Sequence, residues 1–191
     1  MRDYWSLTPT ISLALRALFR GEVIAYPTEA VWGLGCDPFN PEAVNKILTL
    51  KNRSIDKGLI LIASELSQLA FVLKDLPENQ IARMRKTWPG PTTWIVPKNK
   101  YVPYSISGHH AGVAVRVSNH PLVQALCHAY GGPIVSTSAN PQGKPAAKTR
   151  WQVERYFGRS EELSFVTKGT VGKRNRPSDI IDLLSESIVR S

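Results

Sequence analysis

Leu59-Ile60-Leu61-Ile62-Ala63 is an unbroken apolar run of strand length. A strand wetted on one face alternates apolar and polar residues, so an unbroken run expects cover on both faces. The flanking sequence agrees with a sheet lined by helices. Upstream, Asn40-Pro41-Glu42 starts a helix, with a capping side chain, proline at the first helical position and an acid in the first turn. Val44, Ile47, Leu48 and Leu50 give that helix its apolar face, and it runs to Lys51. Before it, Glu22–Tyr26 reads as a strand running into Pro27-Thr28-Glu29, and 9–20 as an amphipathic helix ending near Gly21. Downstream come helical stretches near 65–73 and 77–87, then strands at Thr92–Val96 and Gly112–Val117. Pro121 opens a helix that Gly131-Gly132 stops, Ile134–Ser136 is a short strand, and 149–157 is another helix. Late strands fall near 164–167, 179–183 and 187–190.

Strands and helices interleave, so the expected class is α/β, or mixed α+β, in a single domain over 1–191. Three segments read as irregular. The stretch 98–110 has the look of a surface loop, with Pro103, Gly108 and His109-His110. The other two are 141–148, with Pro141, Gly143, Lys144 and Pro145, and Lys168–Arg176, dense in Gly, Lys and Arg. Trp88-Pro89-Gly90-Pro91 reads as a stiff structural turn.

The chain has 191 residues, enough for a real core. Hydrophobic residues make up 42% and charged residues 20%, an ordinary globular composition. No apolar run approaches the roughly 18 residues of a membrane span. Met1-Arg2-Asp3-Tyr4-Trp5 lacks the h-region of a signal peptide, so a cytoplasmic location with no membrane partner is expected. Cys36 and Cys127 are the only cysteines, too few for a disulfide scaffold or a zinc site. Twenty-four Lys and Arg against fifteen Asp and Glu leave a net charge of +9, which favours anionic partners without choosing among them.

Lys51, Arg53 and Lys57 cluster where the second helix ends. Lysine supplies a mobile point charge and arginine a planar fork that matches phosphate oxygens in pairs. Backbone carbonyls at a helix C-terminus repel phosphate, so side-chain cations would have to do the binding. The same cations would equally complement the dipole of a last turn. Ser136-Thr137-Ser138-Ala139-Asn140 follows an apolar strand abruptly. Small hydroxyls let the backbone approach a ligand beyond a strand end, or simply build a hydrogen-bonded turn. Arg116 interrupts an apolar strand and by alternation shares a face with Ala114. If that face borders a pocket, Arg116 must find an anion there, since an unpaired buried charge is costly. No nucleophile elbow, His-Glu-x-x-His motif or paired acidic metal site appears, which argues against hydrolysis through a protein nucleophile.

Together these segments resemble the YrdC/TsaC family, the threonylcarbamoyl-AMP synthases of tRNA modification. The matching stretches are Ile24–Ala30, Leu50–Arg53, Lys57–Ile62, Trp88–Pro91, Val113–Arg116, Ser136–Asn140, Pro177–Ile180 and Arg190. The resemblance implies a twisted, mostly parallel sheet with flanking helices and a basic concave face. It implies a nucleotide site at Lys51, Arg53, Lys57, Ser138, Asn140 and Arg190, with Lys51 and Arg53 catalytic. It implies threonine contacts at Thr28, Arg116, Ser136 and Ser178. Two positions depart from longer members: Ala30 stands where some carry a second threonine, and Ile62 where some carry histidine.

The reaction so implied joins L-threonine, bicarbonate or CO2, and ATP into threonylcarbamoyl-AMP and pyrophosphate. Mg2+ would travel with the ATP phosphates, without a protein site of its own. The product would pass to a separate threonylcarbamoyl transferase complex for the threonylcarbamoyladenosine modification of tRNAs reading ANN codons, and tRNA itself would meet the basic concave face. The rival reading from the charge alone is a non-catalytic tRNA- or double-stranded-RNA-binding protein, whose affinity would fall steeply with salt. A weaker third is a carbamoyl-phosphate-using enzyme of similar fold.

Overall fold

The structure is a computed structural model that describes residues 8–190. The N-terminal stretch read above for an h-region lies outside them. The elements run in chain order as α1 (Pro9–Phe19), β1 (Val23–Pro27), β2 (Trp32–Gly35), α2 (Pro41–Lys51), a 3-10 turn (Ile55–Lys57) and β3 (Ile60–Ala63). A 3-10 turn (Leu66–Leu69) leads into α3 (Ala70–Leu73), followed by α4 (Glu78–Arg85), β4 (Thr92–Pro97), α5 (Tyr104–Ser107) and β5 (Gly112–Val117). Last come α6 (Pro121–Tyr130), β6 (Ile134–Ser138), α7 (Arg150–Phe157), β7 (Leu163–Val166), β8 (Asp179–Asp182) and β9 (Ile188–Arg190).

Nine strands form one sheet in the order β7-β1-β2-β6-β3-β5-β4-β8-β9. The mixed α/β class is as expected, but the sheet is not mostly parallel. Only β1/β7, β3/β5 and β4/β8 pair in parallel, and the other five pairings are antiparallel. For two of the antiparallel pairs, short connections decide this. Residues 28–31 join β1 to β2 and 183–187 join β8 to β9, far short of the dozen or more a parallel crossover needs.

β6 belongs to two ladders. Ile134, Val135 and Ser136 pair with β3, whereas Thr137 and Ser138 pair with β2. The sheet turns a corner there. β2 itself went unread in the sequence because Gly33 and Gly35 hide its alternation. A Cβ at Gly35 would come within 2.6 Å of Val135 O and 2.7 Å of the Tyr26 ring, so only glycine lets the strands close over that tyrosine.

One face of the sheet carries the larger core, with Leu34, Leu61, Val115 and Trp94 packed beside Val44 and Ile47 of α2. The other face carries a second cluster, in which Ile24, Tyr26, Ile62 and Ile134 lie under Ile11 and Leu18 of α1 and Leu122 and Leu126 of α6. Burial of each such aliphatic chain contributes about 1.5–3 kcal/mol. This second cover is partial. Register places Ile60, Ala114, Arg116 and Ser136 on the same face as Ile62 and Ile134, yet these four residues line an open cavity.

Two segments expected to be loose are tied down. Within 98–110, Val102, Ile106 and Ser107 are buried, and Ile106 O accepts from Leu59 N at 2.9 Å. Apolar residues at 102 and 106, one helical turn apart, draw it into the core. Within 141–148, Ala147 is buried; it donates to Ala139 O and accepts from Trp32 N. No described helix is long and apolar enough to cross a membrane.

Candidate functional site

A cavity of about 630 Å3 opens where the helices leave the second sheet face uncovered. Its lining includes Thr28, Arg53, Lys57, Arg116, Ser136, Ser138, Asn140, Ser178 and Arg190, so one space gathers nine of the ten residues expected from sequence. Lys51 is not among the lining residues.

The α2 end builds one wall. Asn40 caps the helix with bonds from Glu42 N and Ala43 N, and Asn52 ends it in a left-handed conformation. The turn carries Lys51 inward to 4% exposure and sends Arg53 to the cavity. Lys51 Nζ donates to Ser138 O, to Asn140 O at 2.8 Å and to Asn140 Oδ1 at 3.4 Å. The lysine therefore sits behind the Ser138–Asn140 edge and anchors it. Among the described residues no carboxylate pairs with it, and burial together with the nearby Arg53 charge lowers its pKa to about 8. Arg53 Nη2 donates to Lys57 O and Gly58 O, both at 3.0 Å, which ties the guanidinium to the following turn. Among the described residues its buried Nε has no hydrogen-bond partner.

Ser136 and Ser138 lie on β6 itself, not in a loop beyond it. Asn140 follows, held by Lys51 and by its own Nδ2 bond to Lys144 O at 2.7 Å. The hydroxyl edge thus belongs to the sheet.

The opposite end holds Arg116, 7% exposed. The anion that sequence reasoning required for it is a protein group, Glu29. Arg116 Nη2 forms an ion pair with Glu29 Oε2, and Arg116 Nε donates to Gly90 O at 3.0 Å. The turn read as merely structural, Trp88–Pro91, thus supplies a carbonyl to the site. Of the guanidinium's five N–H donors, the one at Nε donates to Gly90 O, while the Nη2 side meets Glu29 as an ion pair. Glu29 Oε1 accepts from Ser118 Oγ and Asn119 N, each at 2.9 Å. Burial pushes the Glu29 carboxyl up, but the Arg116 charge and these hydrogen bonds outweigh it, and the net shift is below the ordinary carboxylate range.

Thr28 donates its hydroxyl to Val31 O at 2.8 Å and so closes the β1–β2 turn. Ser178 is 6% exposed and accepts from the fully buried Thr93 Oγ1 at 2.9 Å. Because that bond uses Ser178 as acceptor, its own proton is left to point elsewhere. Arg190 on β9 donates to Ser178 O at 3.3 Å. Burial and the Arg190 charge lower the pKa of Arg53. Burial and the Arg116 charge likewise lower that of Arg190, against an opposing pull from Asp179. Arg53, Arg190 and Arg116 all line this cavity, and the repulsion of Arg53 by Arg190 and of Arg190 by Arg116 is a cost that a bound anion would relieve.

Sequence reasoning missed Glu29, Thr93, and the arginines of 168–176. That last segment is not loose: Gly172 N donates to Thr28 O at 3.0 Å, Arg174 N to Glu29 O at 3.2 Å, and Arg174 Nη2 to Asp179 Oδ2 at 2.7 Å. Arg174 and Arg176 add two cations to the lining. Ile62, one of the two departures noted above, is buried in the second core cluster and is not in the lining, whereas Ala30 is. Among the described residues no cluster of three His, Cys, Asp or Glu side chains is placed to hold a metal ion.

Comparison with known proteins agrees with this geometry. A threonylcarbamoyl-AMP synthase of Saccharophagus degradans is 54% identical over 187 residues, covering 98% of this chain and 97% of its own. One from Pseudomonas fluorescens is 53% identical over 180 residues, covering 94% and 96%. Among solved structures, P. abyssi Sua5 complexed with L-threonine superimposes with a TM-score of 0.83 at 32% identity, over 90% of this chain and 50% of that one. The present chain therefore spans about half the length of that protein. E. coli YciO gives a TM-score of 0.82 at 25% identity, over 95% of this chain and 88% of its own. The Sua5/YciO/YrdC family model, described as "Telomere recombination", matches residues 16–191, and the chain belongs to that family.

Proposed function

We propose that this chain is a threonylcarbamoyl-AMP synthase, an enzyme that makes an adenylate from ATP, L-threonine and bicarbonate or CO2. The observation that carries the reading is one cavity whose lining brings Arg53, Lys57, Arg190 and Arg116 together with the hydroxyl-rich edge of Ser136, Ser138 and Asn140. Relatives about half identical over nearly the whole chain bear that enzyme name, and the P. abyssi neighbour is a complex with L-threonine.

In this reading the two ends of the cavity divide the work. Ser138 and Asn140, fixed from behind by Lys51, orient the nucleotide. Arg53, Lys57 and Arg190 take the phosphates. Arg116 takes the threonine carboxylate with its free N–H groups, and Thr28, Ser136 and Ser178 complete that pocket. Ser178 is suited to a carboxylate because Thr93 occupies it as an acceptor and leaves it a donor. The threonine nitrogen adds to CO2 and loses a proton, giving a carbamate. A carbamate oxygen then attacks the α-phosphorus as the bond to pyrophosphate breaks. No protein nucleophile takes part. The chain lowers the barrier by holding the reactants in register and by neutralising charge on the departing pyrophosphate.

Mg2+ belongs to this proposal only as a companion of the nucleotide. The acids in the lining are Glu29, committed to Arg116, Ser118 and Asn119, and Asp182, whose Oδ1 accepts from Leu184 N and Ser185 N. Transfer of the adenylate to a threonylcarbamoyl transferase complex, contact with tRNA along the basic rim and a cytoplasmic location complete the proposal.

The test is to incubate purified protein with ATP, threonine and bicarbonate and to assay threonylcarbamoyl-AMP and pyrophosphate. Threonine-dependent release of both is expected. Tight RNA binding with no such turnover would instead support the RNA-binding reading that the +9 charge favours.

A further inference from the structure

Arg116 lies at the amino-acid end of the cavity, yet its orientation is set by a residue with no part in the reaction described above. Glu29 lies in the turn between β1 and β2, and its carboxylate reaches the turn between β5 and α6, where Ser118 Oγ and Asn119 N each donate to Oε1 at 2.9 Å. Those two bonds fix the carboxylate plane, and Oε2 faces Arg116 Nη2. Gly90 O holds the guanidinium from its Nε side. The Nε bond to Gly90 O and the ion pair at Nη2 restrict the planar fork and so bias the direction of its remaining N–H groups. Arg116 lines the cavity. The backbone of the same glutamate also ties down the 170–174 segment, since Glu29 O accepts from Arg174 N and the adjoining Thr28 O from Gly172 N.

We propose that Glu29 is a positioning residue: it orients Arg116 to receive the carboxylate of the amino-acid substrate, and so sets the affinity for that substrate alone. The proposal rests on the reading of Arg116 given above. A glutamate that only offset charge would act in the opposite sense, since its removal would leave Arg116 a stronger attractor of carboxylates. Misdirection and loss of neutralisation therefore predict opposite changes.

The experiment is steady-state pyrophosphate release with threonine and ATP varied separately, on wild type, Glu29→Gln, Glu29→Asp, Arg116→Met and the Glu29→Gln/Arg116→Met double variant, each with its melting temperature. An amide presents an N–H₂ group or a weaker acceptor to Arg116 where the carboxylate stood, so Glu29→Gln frees the fork to turn. Glu29→Gln should raise KM for threonine at least about tenfold while KM for ATP stays within about twofold, the scale that misplacement of a reacting group commands. Glu29→Asp, which keeps the charge on a shorter arm, should recover part of the loss, and it carries the test if Glu29→Gln does not fold. With Arg116 already replaced, Glu29→Gln should cause no further loss. An unchanged or lower KM for threonine in Glu29→Gln overturns the positioning role. Equal losses toward both substrates, tracking a lower melting temperature, overturn it as well by reducing Glu29 to a structural part. Wild-type protein with no threonine-dependent release overturns the reading of Arg116 and this proposal together.

Discussion

The two ends of the cavity each hold a cation out of water, and they do so by opposite means. At the α2 end, Lys51 is surrounded by carbonyl oxygens and has no counter-charge. At the β5 end, Arg116 meets a carboxylate that is itself fixed by two donors. Neutral oxygens satisfy the hydrogen-bonding needs of an ammonium group without cancelling its charge, so the α2 end remains hungry for an anion. A carboxylate cancels most of the charge and leaves direction. The first end suits a polyphosphate, and the second suits a small carboxylate that must be placed with care.

The sharpest way to break this contrast is to remove an arginine that lines the cavity at each end. Arg116→Met leaves Glu29 buried without its partner and should cost about 3–5 kcal/mol of folding stability, read as a lower urea midpoint. A variant as stable as wild type would mean that the ion pair is not the structural tie described here. Arg53→Ala strands only carbonyl oxygens at the cavity edge, so its stability should change little. Its kcat/KM should instead fall by about 2–4 kcal/mol of transition-state stabilisation. Near-normal turnover would remove Arg53 from phosphate binding.

pH sharpens the same contrast. Lys51, lowered to about 8, loses its proton as pH rises through that value, and activity that needs its charge should fall there. In the unfolded chain a lysine stays charged to about 10.4. Between these values the unfolded state binds more protons, so stability should rise with pH as activity falls. The limb near 8 should be missing from any residual activity of Lys51→Met. Glu29 works in the opposite range. Its folded carboxyl lies below the unfolded value, so its contribution is complete above the unfolded value and is lost as pH falls through the folded one. Acid titration of melting temperature in wild type and Glu29→Gln should show a smaller loss in the variant. The least effect is expected from Thr93→Val, which removes the donor to Ser178. It should cost about 0.5–1.5 kcal/mol in stability, and a calorimetric midpoint equal to wild type would show that Ser178 finds another donor.

Much of this was legible in the residues. Asn40, Pro41 and Glu42 announced α2, and the apolar run at 59–63 announced a strand covered on both faces, because caps and periodicity are local signals. The need of Arg116 for an anion was legible too, but not its source. Glu29 and its partners at 116, 118 and 119 are some ninety positions apart in the chain, and only the sheet brings them together. Sheet order escaped for a similar reason. Strand direction depends on connection length and closure, and β2 carries two glycines where alternation should have shown. Lys51 reads from sequence either as a phosphate-binding cation or as one complementing a last-turn dipole; its burial follows from the path of 138–140 across the end of α2.

β6 carries a consequence for how the gene can vary. Its first three residues are registered to β3 and its last two to β2, so the strand is keyed twice. Inserting or deleting a single residue between Ile134 and Ser138 cannot be absorbed by sliding along one neighbour, because the other would fall out of step and the side chains beyond the change would turn to the opposite face. Substitutions here can be graded in effect, but length changes cannot. Libraries built to alter nucleotide preference should therefore hold this strand's length constant and place their insertions after Asn140.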